Sequence, residues 1–162
     1  MAVTIKTVGV IGAGQMGNGI AHVCSLAGYP VMINDVSPDR IKAGLATING
    51  NMARQVSKNV ITEDAKKAAM ALIRPAEKYD DLAQCDLVIE AATEKEDVKR
   101  RIYSDLCASL KPEAILASNT SSISITRLGA STDRPERFIV IRVMNPVPVV
   151  EVLDVIRGIA TD

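Results

Sequence analysis

The chain has 162 residues, the size of one ordinary domain with a single continuous core. Lysine plus arginine balances aspartate plus glutamate at 19 each, so no basic excess draws nucleic acid or an anionic membrane. Cys24, Cys85 and Cys107 form no CxxC pair, which argues against a disulfide framework or a metal site. With Tyr29, Tyr79, Tyr103 and Phe138 the only aromatics, the core must be aliphatic. No apolar run approaches membrane-spanning length and no separate apolar leader precedes the first strand, so the expectation is a cytoplasmic protein.

Short apolar runs rich in Val and Ile alternate with longer helical patterns, the signature of parallel βαβ units. The run Ile5 to Ile11 reads as a strand, followed by glycines and a helix over about Gln15 to Ala27, stopped by Gly28. Pro30 to Asn34 reads as a second buried strand. Ser37-Pro38-Asp39 then opens a helix, with Ser37 as N-cap, Pro38 in the first turn and Asp39 favoured by the dipole. Ile41, Leu45, Ile48, Met52 and Val56 give that helix one apolar face.

Thr62-Glu63-Asp64 starts another helix to about Leu72, with a short strand near Ile73 to Ala76. Leu87 to Glu90 is the next strand. A helix over about Glu96 to Leu110 follows, ended by Lys111-Pro112. Ala114 to Ala117 is a strand, and Ser124 to Leu128 a short helix. Two strands, Phe138 to Met144 and Val149 to Ile156, flank Asn145-Pro146-Val147-Pro148. The order predicts a single α/β domain: a Rossmann-like, doubly wound, mostly parallel sheet with helices on both faces.

Gly12-Ala13-Gly14-Gln15-Met16-Gly17 places G-x-G-x-x-G at a strand-to-helix junction. Gly12 permits the tight turn, Gly14 lets a pyrophosphate approach the backbone, and Gly17 lets the helix pack close to the strand. Asp35 ends the second strand about 20 residues on, where an acid accepts hydrogen bonds from a ribose 2′-hydroxyl. Its carboxylate repels a 2′-phosphate, and Val36, Ser37 and Pro38 follow rather than an arginine. The cofactor expected is therefore NAD, held by Gly12, Gly14, Gln15, Met16, Gly17 and Asp35.

Beyond the glycines stand Val88-Ile89-Glu90-Ala91 with Glu94 and Lys99, then Ser118-Asn119-Thr120-Ser121-Ser122, then Asn145-Pro146-Val147-Pro148 leading to Val155-Ile156. With these motifs in this order the chain resembles, over essentially its whole length, the NAD-binding domain of the 3-hydroxyacyl-CoA dehydrogenases. The likeness is greatest to bacterial 3-hydroxybutyryl-CoA dehydrogenases. It implies oxidation of a 3-hydroxyacyl-CoA to the 3-ketoacyl-CoA, with NAD as hydride acceptor and an acyl-CoA as substrate. It also implies that Glu94 and Lys99 lie along the cofactor, Asn119 at its nicotinamide end, and Ser121 and Asn145 on the substrate oxygen. On the residues alone other readings stay open. Glu94, Glu96 and Asp97 followed by Lys99, Arg100 and Arg101 also describe a solvated helix start with dipole-matched charges. Ser121 and Ser122 also suit a capping turn, and Asn145 a loop residue before proline.

One departure matters for chemistry. The resemblance puts a general-base His at position 142 and its Glu partner at 154, and this chain has Arg142 and Asp154. An arginine stays protonated and takes no hydroxyl proton. Asp154 is shorter by one methylene and is placed to pair with Arg142. Val140 and Val143 also replace a small residue and an aromatic of the resembling family. His22, the only histidine, reads as a partly packed helix residue. That family continues into a mainly helical second domain, so the expectation is an isolated cofactor domain, truncated and engineered, that binds NAD(H) with impaired turnover and self-associates through its 138–156 strands. The alternative is an active NAD-dependent oxidoreductase interconverting 3-hydroxyacyl-CoA and 3-ketoacyl-CoA.

Overall fold

The structure, a computed structural model, describes residues 4–120, 123–143, 153–158 and 161. The apolar runs become strands and the periodic stretches helices. In chain order they are β1 (Val8–Ile11), α1 (Gln15–Leu26), β2 (Val31–Asn34), α2 (Pro38–Ser57), α3 (Glu63–Leu72), β3 (Ile73–Pro75) and β4 (Leu87–Glu90). Then follow α4 (Glu96–Cys107), β5 (Ile115–Ser118), α5 (Ile125–Ala130), β6 (Phe138–Val143) and β7 (Leu153–Arg157).

These strands form one sheet in the order β3-β2-β1-β4-β5-β6-β7, parallel throughout except for β7, which runs antiparallel to β6. Chain direction through the sheet reverses between β1 and β4, and in a doubly wound sheet the crevice at that reversal, outside the carboxyl ends, is where ligands bind. Because side chains alternate across a strand, each inner strand feeds two cores. Val8, Val10, Ile33, Ile89 and Ala117 pack under α1, α2 and α3 against Ile20, Ile48 and Met52. Ile11, Val88, Leu116 and Val140 pack under α4 and α5 against Tyr103, Leu106 and Leu128. The doubly wound α/β domain expected from the sequence is the one formed.

The helix starts follow local chemistry. Ser37 Oγ accepts the Arg40 N–H at 3.3 Å, and Thr62 Oγ1 accepts that of Ala65 at 3.0 Å. Along α2, Ile41, Ile48 and Met52 are buried, with Leu45 and Val56 half-buried. Most boundaries fall within two residues of expectation, and the start of β1 and the end of α4 move by three. β1 begins at Val8 because Lys6 and Thr7 donate their N–H groups to Asp86 Oδ2 rather than to a neighbouring strand. α4 ends at Cys107, three residues short of Leu110; the Arg134 guanidinium reaches back to the carbonyls of Cys107, Lys111 and Ala114. Two 3₁₀ turns, Tyr79–Leu82 and Pro135–Arg137, lie in stretches left unassigned by the sequence reading. Expected strand residues 144 and 149–152 lie outside those described.

Candidate cofactor site

The glycine turn sits at the carboxyl end of β1, in the crevice between β1 and β4. Gly12 takes φ +101°, and a Cβ there would lie 2.7 Å from the Ala91 carbonyl oxygen. A Cβ on Gly17 would fall 1.6 Å from the Gly12 carbonyl oxygen, so α1 reaches the strand only without one. Gly14 differs: it is exposed, and a Cβ built on it meets no atom within 4 Å. No steric contact inside the protein demands glycine there, and the space over the turn is open to the crevice.

Gly14 is also the N-cap of α1, which has neither a capping side chain nor an acidic residue in its first turn. By contrast α2, α3 and α5 are capped by Ser37, Thr62 and Ser124. The start of this helix opens on the crevice and turns its positive dipole end toward it, a setting that favours an anion. Gln15 is exposed and Met16 half-buried beside this turn.

Asp35 follows β2 and is tied to the same turn. Its Oδ2 accepts the Ala13 N–H at 2.7 Å, and Oδ1 accepts the Val36 N–H at 2.6 Å. Both lie in a cleft of about 720 Å³, bounded by Gly12, Ala13, Gly14 and Asp35 on one wall and Ala91, Ala92, Thr93 and Val98 on the other. That volume falls in the range of small-molecule and cofactor sites. Open space over Gly14, an uncapped helix start and an oriented carboxylate together fit a dinucleotide.

Glu94 is exposed beyond β4, and its Oε2 accepts the Thr120 hydroxyl at 2.8 Å. Asn119 is half-buried beyond β5, its N–H donated to the Glu90 carbonyl at 2.8 Å. Both therefore stand at the crevice end of the sheet. Lys99, expected along the cofactor, instead turns inward: its Nζ lies 2.6 Å from Glu90 Oε1 and 3.2 Å from Ser118 Oγ, fully buried. The reason is Glu90, a charged residue closing an apolar strand, whose carboxylate would otherwise be buried without a counter-charge. The solvated helix-start reading holds for Glu96 and Arg100, which pair at 2.9 Å on the surface, and not for Lys99.

Glu90, which stands in the sequence as one member of a motif with no role of its own, is the centre of this cluster. Its Oε1 also accepts the Tyr103 hydroxyl at 2.8 Å and the Ser118 hydroxyl at 2.9 Å, while Oε2 accepts the Ala92 N–H at 2.9 Å. Burial and the neighbouring carboxylate hold the Tyr103 hydroxyl far above its usual pKa, so it stays a donor. A cluster joining β4, β5 and α4 thereby fixes the loop that forms one wall of the cleft. A single Glu ending the run Leu87 to Ile89 was the available signal.

Arg142 is exposed on β6, and the β6–β7 register sets it opposite the backbone of Asp154. Ser121 and Asn145, expected on the substrate, lie outside the described residues. His22 is not partly packed but wholly buried between α1 and α2, its Nε2 2.7 Å from Gln55 Oε1 and its Nδ1 without a partner. Among the described residues no cluster of His, Cys, Asp and Glu is arranged to hold a metal, and no helix is long and apolar enough to cross a membrane.

Sheet order, glycine turn and placed carboxylate together define a dinucleotide-binding domain of the doubly wound class. Comparison with known proteins narrows this. The profile described as 3-hydroxyacyl-CoA dehydrogenase, NAD binding domain, matches residues 7–162, and the chain belongs to that family. It is 71% identical over 162 residues to a 3-hydroxybutyryl-CoA dehydrogenase of Bradyrhizobium diazoefficiens, covering all of this chain and 55% of the relative. The crystal structure of (S)-3-hydroxybutyryl-CoA dehydrogenase from Ralstonia eutropha superposes with a TM-score of 0.95 at 45% identity, over 98% of this chain and 56% of that one. A 3-hydroxybutyryl-CoA dehydrogenase from Escherichia coli K12 gives 0.95 at 34% identity, over 98% of this chain and 34% of its own. The chain spans little more than half the length of the first two. NAD is the cofactor these relationships support.

Proposed function

We propose that this chain is the NAD(H)-binding part of a 3-hydroxybutyryl-CoA dehydrogenase in which proton transfer is impaired. The observation that carries the impairment is Arg142, exposed on β6 and two residues beyond Val140, the partner of Ser118 at the end of β5. The family resemblance sets a general base at that position. A guanidinium has no lone pair to accept the substrate hydroxyl proton, and losing a positioned base costs about 10²- to 10⁴-fold in rate. When bound, NAD supplies the hydride acceptor for a 3-hydroxyacyl-CoA.

The protein's own residues have separate tasks in this reading. The N–H groups at Gly14, Gln15 and Met16 hold the pyrophosphate and Asp35 the adenosine ribose, Glu94 lies along the cofactor and Asn119 at its nicotinamide end. Lys99 acts beneath the site by neutralising Glu90. Ser121 and Asn145 are assigned to the substrate oxygen by resemblance alone. Asp154 remains the proposed partner of Arg142. Self-association through the edge pair β6–β7 belongs to the same reading: β7 is the last strand of the sheet and Val155 is exposed.

The alternative, an active oxidoreductase, draws on the same Arg142, since a fixed positive charge favours a developing alkoxide. It leaves the proton without an acceptor. Titration with NADH together with an acetoacetyl-CoA assay separates the two. Saturable NADH binding without turnover above background supports the impaired reading, and turnover at ordinary rates refutes it.

A further inference from the structure

The cleft carries two cations, Arg40 and Lys78, to which the NAD reading gives no task. We propose that Arg40 and Lys78 already form the cationic half of a site for a ribose 2′-phosphate, which the Asp35 carboxylate keeps closed. The inference rests on NAD binding in this cleft and adds the origin of its selectivity. Arg40 lies in the first turn of α2, directly after the Asp35 segment, and Lys78 follows β3, the strand paired with β2. Both line the same cleft as Asp35. Both are exposed, and neither takes part in an ion pair among the described residues. Glu77 lines the cleft too and opposes them with a single charge.

Asp35 is held differently. Its two oxygens are bound by the N–H groups of Ala13 and Val36, so the carboxylate cannot swing aside for a second anion. A 2′-phosphate therefore meets a fixed negative charge. With that charge removed, a guanidinium and an ammonium remain against one glutamate, and arginine is the side chain best shaped for phosphate.

The test is Asp35→Asn, which keeps an oxygen for the Ala13 N–H while removing the charge, with Asp35→Ser as a second variant should the first fold poorly. NADH and NADPH are titrated by fluorescence into this chain and its variants. The expected result is a fall of about tenfold or more in the NADPH-to-NADH Kd ratio. Adding Arg40→Ala or Lys78→Ala reverses most of the NADPH gain and leaves NADH little changed. A ratio unmoved by the loss of Asp35, or a gain that survives removal of both cations, overturns the inference while NADH binding stands. Failure of the unaltered chain to bind NADH overturns the cofactor site and the inference together.

Discussion

The Lys99 ammonium lies 2.6 Å from Oε1 of Glu90, and both side chains are sealed from solvent. Removing one partner of such a pair strands the other charge in a poorly polarisable interior, at about 3–5 kcal/mol. Lys99→Met should lower unfolding stability by that order in urea titrations. The double variant Glu90→Gln, Lys99→Met should recover much of the loss, because no buried charge is left. A single variant within about 1 kcal/mol of the parent would contradict this reading of the pair.

Gly17→Ala should be among the most damaging single-methyl changes in the chain. The added carbon would sit 1.6 Å from the Gly12 carbonyl oxygen, a backbone atom that moves only with the whole turn. A cost of about 3 kcal/mol is expected, at the upper end for overpacking, with loss of NADH affinity. Denaturant midpoints and an NADH titration on the same preparation read both effects.

His22 gives the chain a predictable pH response. Burial lowers its pKa below 6.5, outweighing the Gln55 hydrogen bond that acts to raise it. The unfolded chain then binds the proton more readily than the folded one, so stability is full above pH 6.5 and falls as pH drops through the lowered value. As it is the only histidine, the slope of stability between pH 7 and pH 5 should flatten in His22→Leu. An NMR titration of the single imidazole supplies its pKa directly. A value at or above 6.5 would refute the assignment.

Arg142→His should give only a small gain in acetoacetyl-CoA-dependent NADH oxidation. The same strand also carries Val140 and Val143 where the family resemblance places a small residue and an aromatic. A gain approaching the about 10²- to 10⁴-fold that a positioned base supplies would show that the base alone was missing.

Much of this fold was legible because its signals are local. Ser37 followed by Pro38, or Thr62 before Glu63, marks a helix start within four residues, and the alternation of apolar runs with helical periods marks a parallel, doubly wound sheet. Gly12 to Gly17 and Asp35 were readable because strand, turn and helix are consecutive. The Glu90 cluster was not, since its partners lie 9, 13 and 28 residues away and meet only when β4, β5 and α4 pack. The role of Arg134 at the end of α4 was hidden for the same reason. Arg40 was not legible because it stands about a helical turn beyond Asp35 in sequence, and only the start of α2 carries its side chain back to the cleft.

The most direct measurement is a calorimetric titration of NADH into this chain and into Gly14→Val. One NADH per chain should bind the parent. The variant should stay folded and bind at least about tenfold more weakly, because a Cβ at Gly14 meets no protein atom within 4 Å and a bulkier group there obstructs the pyrophosphate. Equal affinity in the two would mean that the cofactor does not rest against this turn.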